Sequence, residues 1–122
     1  MTRNVWGDKA YRVSYTNYIN GKYIHPPQAK ITEHVITKLG NKYLYTEDKW
    51  TRFEINTGRE DKDYGDIDIV FPTYQAAEEY VKRNHVLKTL AKYFNSAGDA
   101  VARNLPTENL EQLLNYFEVD GL

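Results

Sequence analysis

The chain has 122 residues, no cysteine, and 16 basic against 17 acidic residues for a net charge of −1. That length suits one domain, the missing cysteine excludes disulfides, thiolate metal sites and a cysteine nucleophile, and the balanced charge excludes both a polybasic grip and the strongly acidic surface of a DNA mimic. No apolar run nears the ~20 residues of a membrane span, and the first four residues lead into no apolar stretch that would make a signal peptide, so a soluble, membrane-free protein of the cytoplasm is expected.

In chain order, the first seventy or so residues read as strands. Residues 11–16 alternate with period two, Tyr11, Val13 and Tyr15 forming the apolar face of a half-buried strand and Arg12, Ser14 and Thr16 its polar face. Asn20-Gly21 marks a tight turn, and His25-Pro26-Pro27-Gln28 breaks the pattern, so residues 17–28 are a loop or the tip of a long hairpin. Strand-like runs at 29–37 and 42–46 flank Leu39-Gly40-Asn41, a hairpin connection read as needing a left-handed residue. Residues 51–56 place Phe53 and Ile55 inward against Arg52 and Glu54, and in 66–71 Ile67, Ile69 and Phe71 share the apolar face. Five short strands at this spacing predict a small antiparallel barrel within residues 5–71.

The period then lengthens. Thr73 is placed as a helix N-cap with Glu78 and Glu79 early in the helix. Ala77, Val81, Leu87, Leu90, Ala91 and Phe94 form an apolar stripe, Lys82, Arg83, Lys88 and Lys92 gather toward the C-terminal half, and Asn95-Ser96-Ala97-Gly98 stops the helix. Pro106-Thr107-Glu108 announces a second helix with Leu110, Leu113, Leu114 and Phe117 on one face. The predicted fold class is α+β: a five-stranded antiparallel barrel (1–72), then two or three C-terminal helices (73–122), near 73–94 and 107–118 with a further short turn in 99–105. No Gly/Ser/Pro linker separates the parts, so one domain with helices packed on the barrel is expected.

Three blocks carry a family resemblance: Val35-Ile36-Thr37-Lys38-Leu39-Gly40-Asn41-Lys42-Tyr43-Leu44-Tyr45, then Arg52-Phe53-Glu54-Ile55-Asn56-Thr57-Gly58-Arg59-Glu60, then Asp63-Tyr64-Gly65. With the helix after Thr73 they resemble a family of short uncharacterised proteins of bacteriophages and of bacteria carrying mobile elements, whose shared segment is a KOW-like β-barrel with a helical C-terminal tail. The likeness covers roughly residues 30–118. It implies a fold and, for a phage-encoded member, residence in the host cytoplasm; it implies no activity.

Motifs for chemistry are sparse. The acidic run Glu60-Asp61-Lys62-Asp63-Tyr64-Gly65-Asp66-Ile67-Asp68 misses calcium-loop spacing, since glycine falls a position early and Pro72 stands where a bidentate glutamate belongs. His25, His34 and His85 have no second ligand at metal spacing, Ser14 and Ser96 lie in no nucleophile elbow, and Gly58 and Gly65 belong to no phosphate-cradling loop. No catalytic residue, metal or cofactor is expected.

Two binding readings follow. Eleven of the seventeen aromatics are tyrosines, residues suited to half-buried pleated surfaces and to contacts. The preferred reading is a phage or mobile-element accessory protein that binds a host or defence protein, as an inhibitor, through Tyr18, Tyr23 and Trp50, flanked by Lys22, Lys49 and Arg52. The alternative is a nucleic-acid-binding barrel whose Lys38, Lys42, Lys49, Arg52, Arg59 and Lys62 contact phosphates while Tyr43, Tyr45, Trp50 and Phe53 stack on bases, with five nearby acids opposing the field.

Overall fold

A computed structural model describes residues 5–48, 50–93 and 103–116. The chain divides into two compact units, the first ending at Glu78 and the second beginning at Glu79.

The first unit holds β1 (Lys9–Ile19), β2 (Lys22–Leu39), β3 (Tyr43–Thr46), β4 (Arg52–Glu54) and β5 (Ile69–Phe71), all paired antiparallel in the order β4-β3-β2-β1-β5. The two outer strands are joined through residues 58–61. Toward β4, Glu54 N–H donates to the Arg59 carbonyl and Asp61 N–H to the Arg52 carbonyl, each at 2.9 Å. Toward β5, Val70 N–H donates to the Gly58 carbonyl at 2.8 Å and Glu60 N–H to the Asp68 carbonyl at 2.9 Å. Bonding on both sides turns this segment into a clasp and the sheet into a nearly closed barrel, which removes most of the free edge that an open sheet would present.

Inside lie Trp6, Ala10, Leu44, Phe53, Ile55 and Val70, with Ile36 and Leu39 packed against them. Phe53 and Ile55 point inward as their alternation predicts. Trp6, which the sequence reading passed over, is buried and donates its indole N–H to the Ile55 carbonyl at 3.1 Å, so its polar handle is satisfied without water.

The apolar faces of β1 and β5 are the reverse of the reading from alternation. Ala10 and Val70 face the barrel interior, and Arg12, paired with Val70, lies over the Phe53 ring at 5.3 Å. Val13 is buried on the opposite face, where its strand partners are Ile31 and Ile69, while Tyr11 meets Tyr74 edge-on at 6.0 Å. Ile69 and Phe71 share that outer face, and Ile67 is exposed. Period two separates two faces without saying which is interior. Here both carry burial.

The stretch left as loop or hairpin tip is strand on both sides. β1 and β2 run continuously to Asn20-Gly21, whose φ values of 51° and 78° fit a two-residue hairpin turn. Opposite Asn17 the register shifts: Thr16 pairs with Gln28 but Tyr18 with Tyr23, so Ile24 through Pro27 bulge outward, tied back by Asn17 Nδ2–H to the Ile24 carbonyl at 3.1 Å. At the second hairpin neither Gly40 nor Asn41 has positive φ. Gly40 is needed for close approach instead, because a Cβ there would sit 3.2 Å from the Tyr43 carbonyl oxygen.

Two helices occur among the described residues, α1 (Tyr74–Ala91) and α2 (Thr107–Asn115). Thr73 caps α1 as predicted, its Oγ1 accepting the Ala76 N–H at 3.1 Å. In the second unit Val86, Leu87, Leu90 and Leu110 are buried together, with Tyr93, Leu105, Leu113 and Leu114 against them. Val86 was missing from the predicted stripe and Ala91, included in it, is exposed. Arg83 ties the turn before α2 to α1, donating to the Arg103 carbonyl at 2.7 Å and to Thr107 Oγ1 at 3.3 Å, and Lys82 meets Glu111 at 3.1 Å. Phe94, the 95–98 stop, Phe117, the helix end at 118 and any third helix before 103 lie outside the described residues.

Candidate functional site

Because Leu44 and Phe53 are core residues, their neighbours on β3 and β4 must point outward. Tyr45 stands opposite both Lys38 and Arg52, and Tyr43 opposite Glu54. The cations lean over the rings: Arg52 sits 4.0 Å and Lys42 5.3 Å from the Tyr43 centroid, and Lys38 5.5 Å from that of Tyr45, within the range of cation–π attraction. Arg52 also donates to Asp61 at 2.7 Å. That bond, followed by one to Tyr45, raises the guanidinium above its ordinary range.

The β3–β4 connection carries Trp50 with 96% of its surface exposed, while its backbone is pinned. Asp48 accepts from the Trp50 N–H at 3.1 Å and from the Thr51 hydroxyl at 2.9 Å. Those two bonds, the first foremost and with help from Arg12, hold the Asp48 carboxyl below its usual range. An indole left in water on an anchored turn is a surface poised for contact.

The residues singled out from sequence therefore fall into three places. Arg52 joins Lys38, Lys42, Tyr43 and Tyr45 in one aromatic and cationic ladder, and Trp50 stands on the turn two residues before Arg52. Tyr18 and Tyr23 pair edge-on at 5.6 Å near the hairpin tip, 65% and 63% exposed, with Lys22 beside them. Arg59 and Lys62 belong to the clasp, where Lys62 reaches Glu60 at 3.4 Å. Lys49 lies outside the described residues. The three rings proposed as one patch are not brought together: Asp48 touches Arg12, and Tyr18 lies six residues further along β1, roughly 20 Å at the strand rise.

Arg12 was read as an outward polar residue. Instead it draws in Asp68 at 2.7 Å and Asp48 and Glu60 at 3.6 Å each, joining β1, the Trp50 turn, the clasp and the approach to β5. Two carboxylates of the acidic run thus face an arginine. A second junction ties β2 to the end of β3: Glu47 receives the Val35 N–H at 2.9 Å and lies 2.8 Å from His34 Nδ1. Burial acts to raise the Glu47 carboxyl, but hydrogen bonds from its own backbone, His34 and Val35 outweigh it and leave it below the usual range. Among the described residues no three His, Cys, Asp or Glu side chains are grouped to hold a metal, and no helix is long and apolar enough to cross a membrane. The ladder's chemistry is that of stacking surfaces interleaved with cations.

The phage ProQ C-terminal-like domain matches residues 4–119, and the chain belongs to that family. The match bears out the resemblance to a phage and bacterial small-domain family. No curated protein and no solved structure is significantly similar to the chain.

Proposed function

We propose that this member of the phage ProQ C-terminal-like domain family is a non-enzymatic binding module that takes single-stranded nucleic acid on the outer face of β3 and β4. The observation that carries this reading is the ladder: Tyr43 and Tyr45 offer ring surfaces with Lys38, Lys42 and Arg52 against them, and the exposed Trp50 stands two residues before Arg52 in the chain. Alternating rings and cations suit an unpaired strand, whose bases stack on the former while its phosphates meet the latter. Asp61 and Glu54 temper the field, so stacking supplies more of the affinity than charge. The protein-partner reading retains the Tyr18–Tyr23 pair, but loses the continuity with Trp50 on which its patch was built.

Fluorescence titration with unlabelled single-stranded RNA and DNA tests the proposal. Trp6 is buried and Trp50 exposed, so quenching of the solvent-exposed emission reports the ladder directly. Stacking is worth about 1–3 kcal/mol per base, so Tyr45→Ala should weaken binding roughly tenfold in this titration, and Trp50→Ala, which removes the reporting indole, roughly tenfold in filter binding, with the fold unchanged. Absence of quenching, or affinity insensitive to salt between about 50 and 200 mM, would overturn it.

A further inference from the structure

Beyond the barrel, β1 and β2 continue as a two-stranded arm. β1 pairs with β5 only from Tyr11 to Val13, and β2 with β3 only from Ile36 onward, whereas the β1–β2 ladder extends to Ile19 and Lys22. From Ser14 to the turn at Asn20 the arm reaches roughly 20 Å at the strand rise.

Its composition differs from that of the rest of the chain. Between Asp8 and Glu33 there is no acidic residue, although acids outnumber bases overall. Near the barrel the arm's two bases are already engaged, Lys9 with Glu33 at 3.3 Å and Arg12 with its three carboxylates. Further out stand Lys22 and Lys30, both exposed, with His25 between them along β2. A ribbon in which only positive charge occurs is complementary to a polyanion.

The β2 edge of the arm is built against strand addition. Pro26 and Pro27 lack an N–H, the bulge at Ile24 through Pro27 breaks the line of β2, and Lys22 and Lys30 stand on the same strand. Each is a device that blunts an edge. An occupant that pairs backbone to backbone along β2, including a second copy of this chain, is thereby disfavoured. A two-stranded ribbon matches the width of the major groove of a B-form duplex, about 12 Å.

We infer that the arm is a second nucleic-acid contact, seated in the groove of a duplex that adjoins the unpaired strand held by the ladder. This rests on the single-strand reading above and deepens it: the preferred ligand is a duplex with a single-stranded tail. Lys22 and Lys30 meet phosphates on either side of the groove, and the Tyr18–Tyr23 pair covers sugar or base edges near the tip.

The test is binding of the full chain to three probes, a single strand, a blunt DNA duplex and the same duplex carrying a single-stranded tail, by wild type and by Lys22→Gln/Lys30→Gln, a change at two exposed positions. The wild type is expected to prefer the tailed duplex. The double variant should lose that preference, with the log–log salt slope on the tailed duplex shallower by about 2, while single-strand binding stays unchanged. If the variant binds the tailed duplex as the wild type does, the arm inference is overturned and the ladder reading stands. If the wild type binds the single strand and the tailed duplex equally, the inference again fails. If it binds neither, both fail, and a protein that still co-purifies through Tyr18 and Tyr23 after nuclease treatment would name the other class of partner.

Discussion

Removing the Arg12 guanidinium tests how the barrel stays closed. Arg12→Met keeps most of the side chain's length and leaves Asp48, Glu60 and Asp68 facing one another without their shared cation. The side chains of Arg12, Glu60 and Asp68 are only 18%, 10% and 19% exposed. Breaking a buried ion pair on one side costs about 3–5 kcal/mol; Lys62 remains on Glu60 and Asp48 is partly solvated, which brings the expected loss to about 2–3 kcal/mol. In a unit of this size each kcal/mol moves Tm by about 4–8 °C, so a fall of at least about 8 °C should appear in a thermal melt followed by circular dichroism. Hydrogen exchange localises the effect: the amides of Glu54, Glu60, Asp61 and Val70, which donate across the clasp, should lose protection before those of the β1–β2 ladder. A melt within about 2 °C of wild type, with clasp amides still protected, would show that backbone bonding alone closes the barrel.

Three further outcomes follow. Glu47 and Asp48 have carboxyls lowered in the folded state, so each contributes stability that is present above the ordinary carboxylate range and disappears as pH falls through the folded value; Glu47→Gln should flatten acid denaturation below about pH 4.5, checked by denaturant melts at stepped pH. Gly40→Ala pushes a Cβ against the Tyr43 carbonyl at 3.2 Å and should cost about 1 kcal/mol, whereas Gly7→Ala, with open space around it, should be neutral in the same urea titration. Leu110→Ala empties the centre of the second unit's core and should cost about 2–5 kcal/mol, seen as early loss of helical signal in a far-ultraviolet circular dichroism melt.

The strands were legible wherever one face was decisively apolar. Phe53 and Ile55 announced the interior because their neighbours Arg52 and Glu54 could not be buried alone. β1 misled for the opposite reason: its aromatic and aliphatic residues lie on a face that is also covered, and its interior position is filled by Ala10, too small to signal, and by Arg12, whose burial depends on carboxylates from distant parts of the sequence. No local pattern encodes an ion network assembled from residues 12, 48, 60 and 68. The clasp was invisible likewise, because a segment of only residues 58–61 that bonds alternately to either side has no periodicity to read.

The site shows the same division. That Tyr43, Tyr45 and Arg52 share an outer face follows from Leu44 and Phe53 being core, so the ladder could be read from alternation alone. Where Trp50 belongs could not, since its turn is placed by Asp48 reaching Arg12 across the barrel. That contact ties the Trp50 turn to β1, while the chain itself keeps the indole two residues from Arg52. On the single-strand proposal, loosening the Arg12 network should release the Trp50 turn, which Asp48 ties to Arg12, and weaken binding; the fluorescence titration of Arg12→Met checks it.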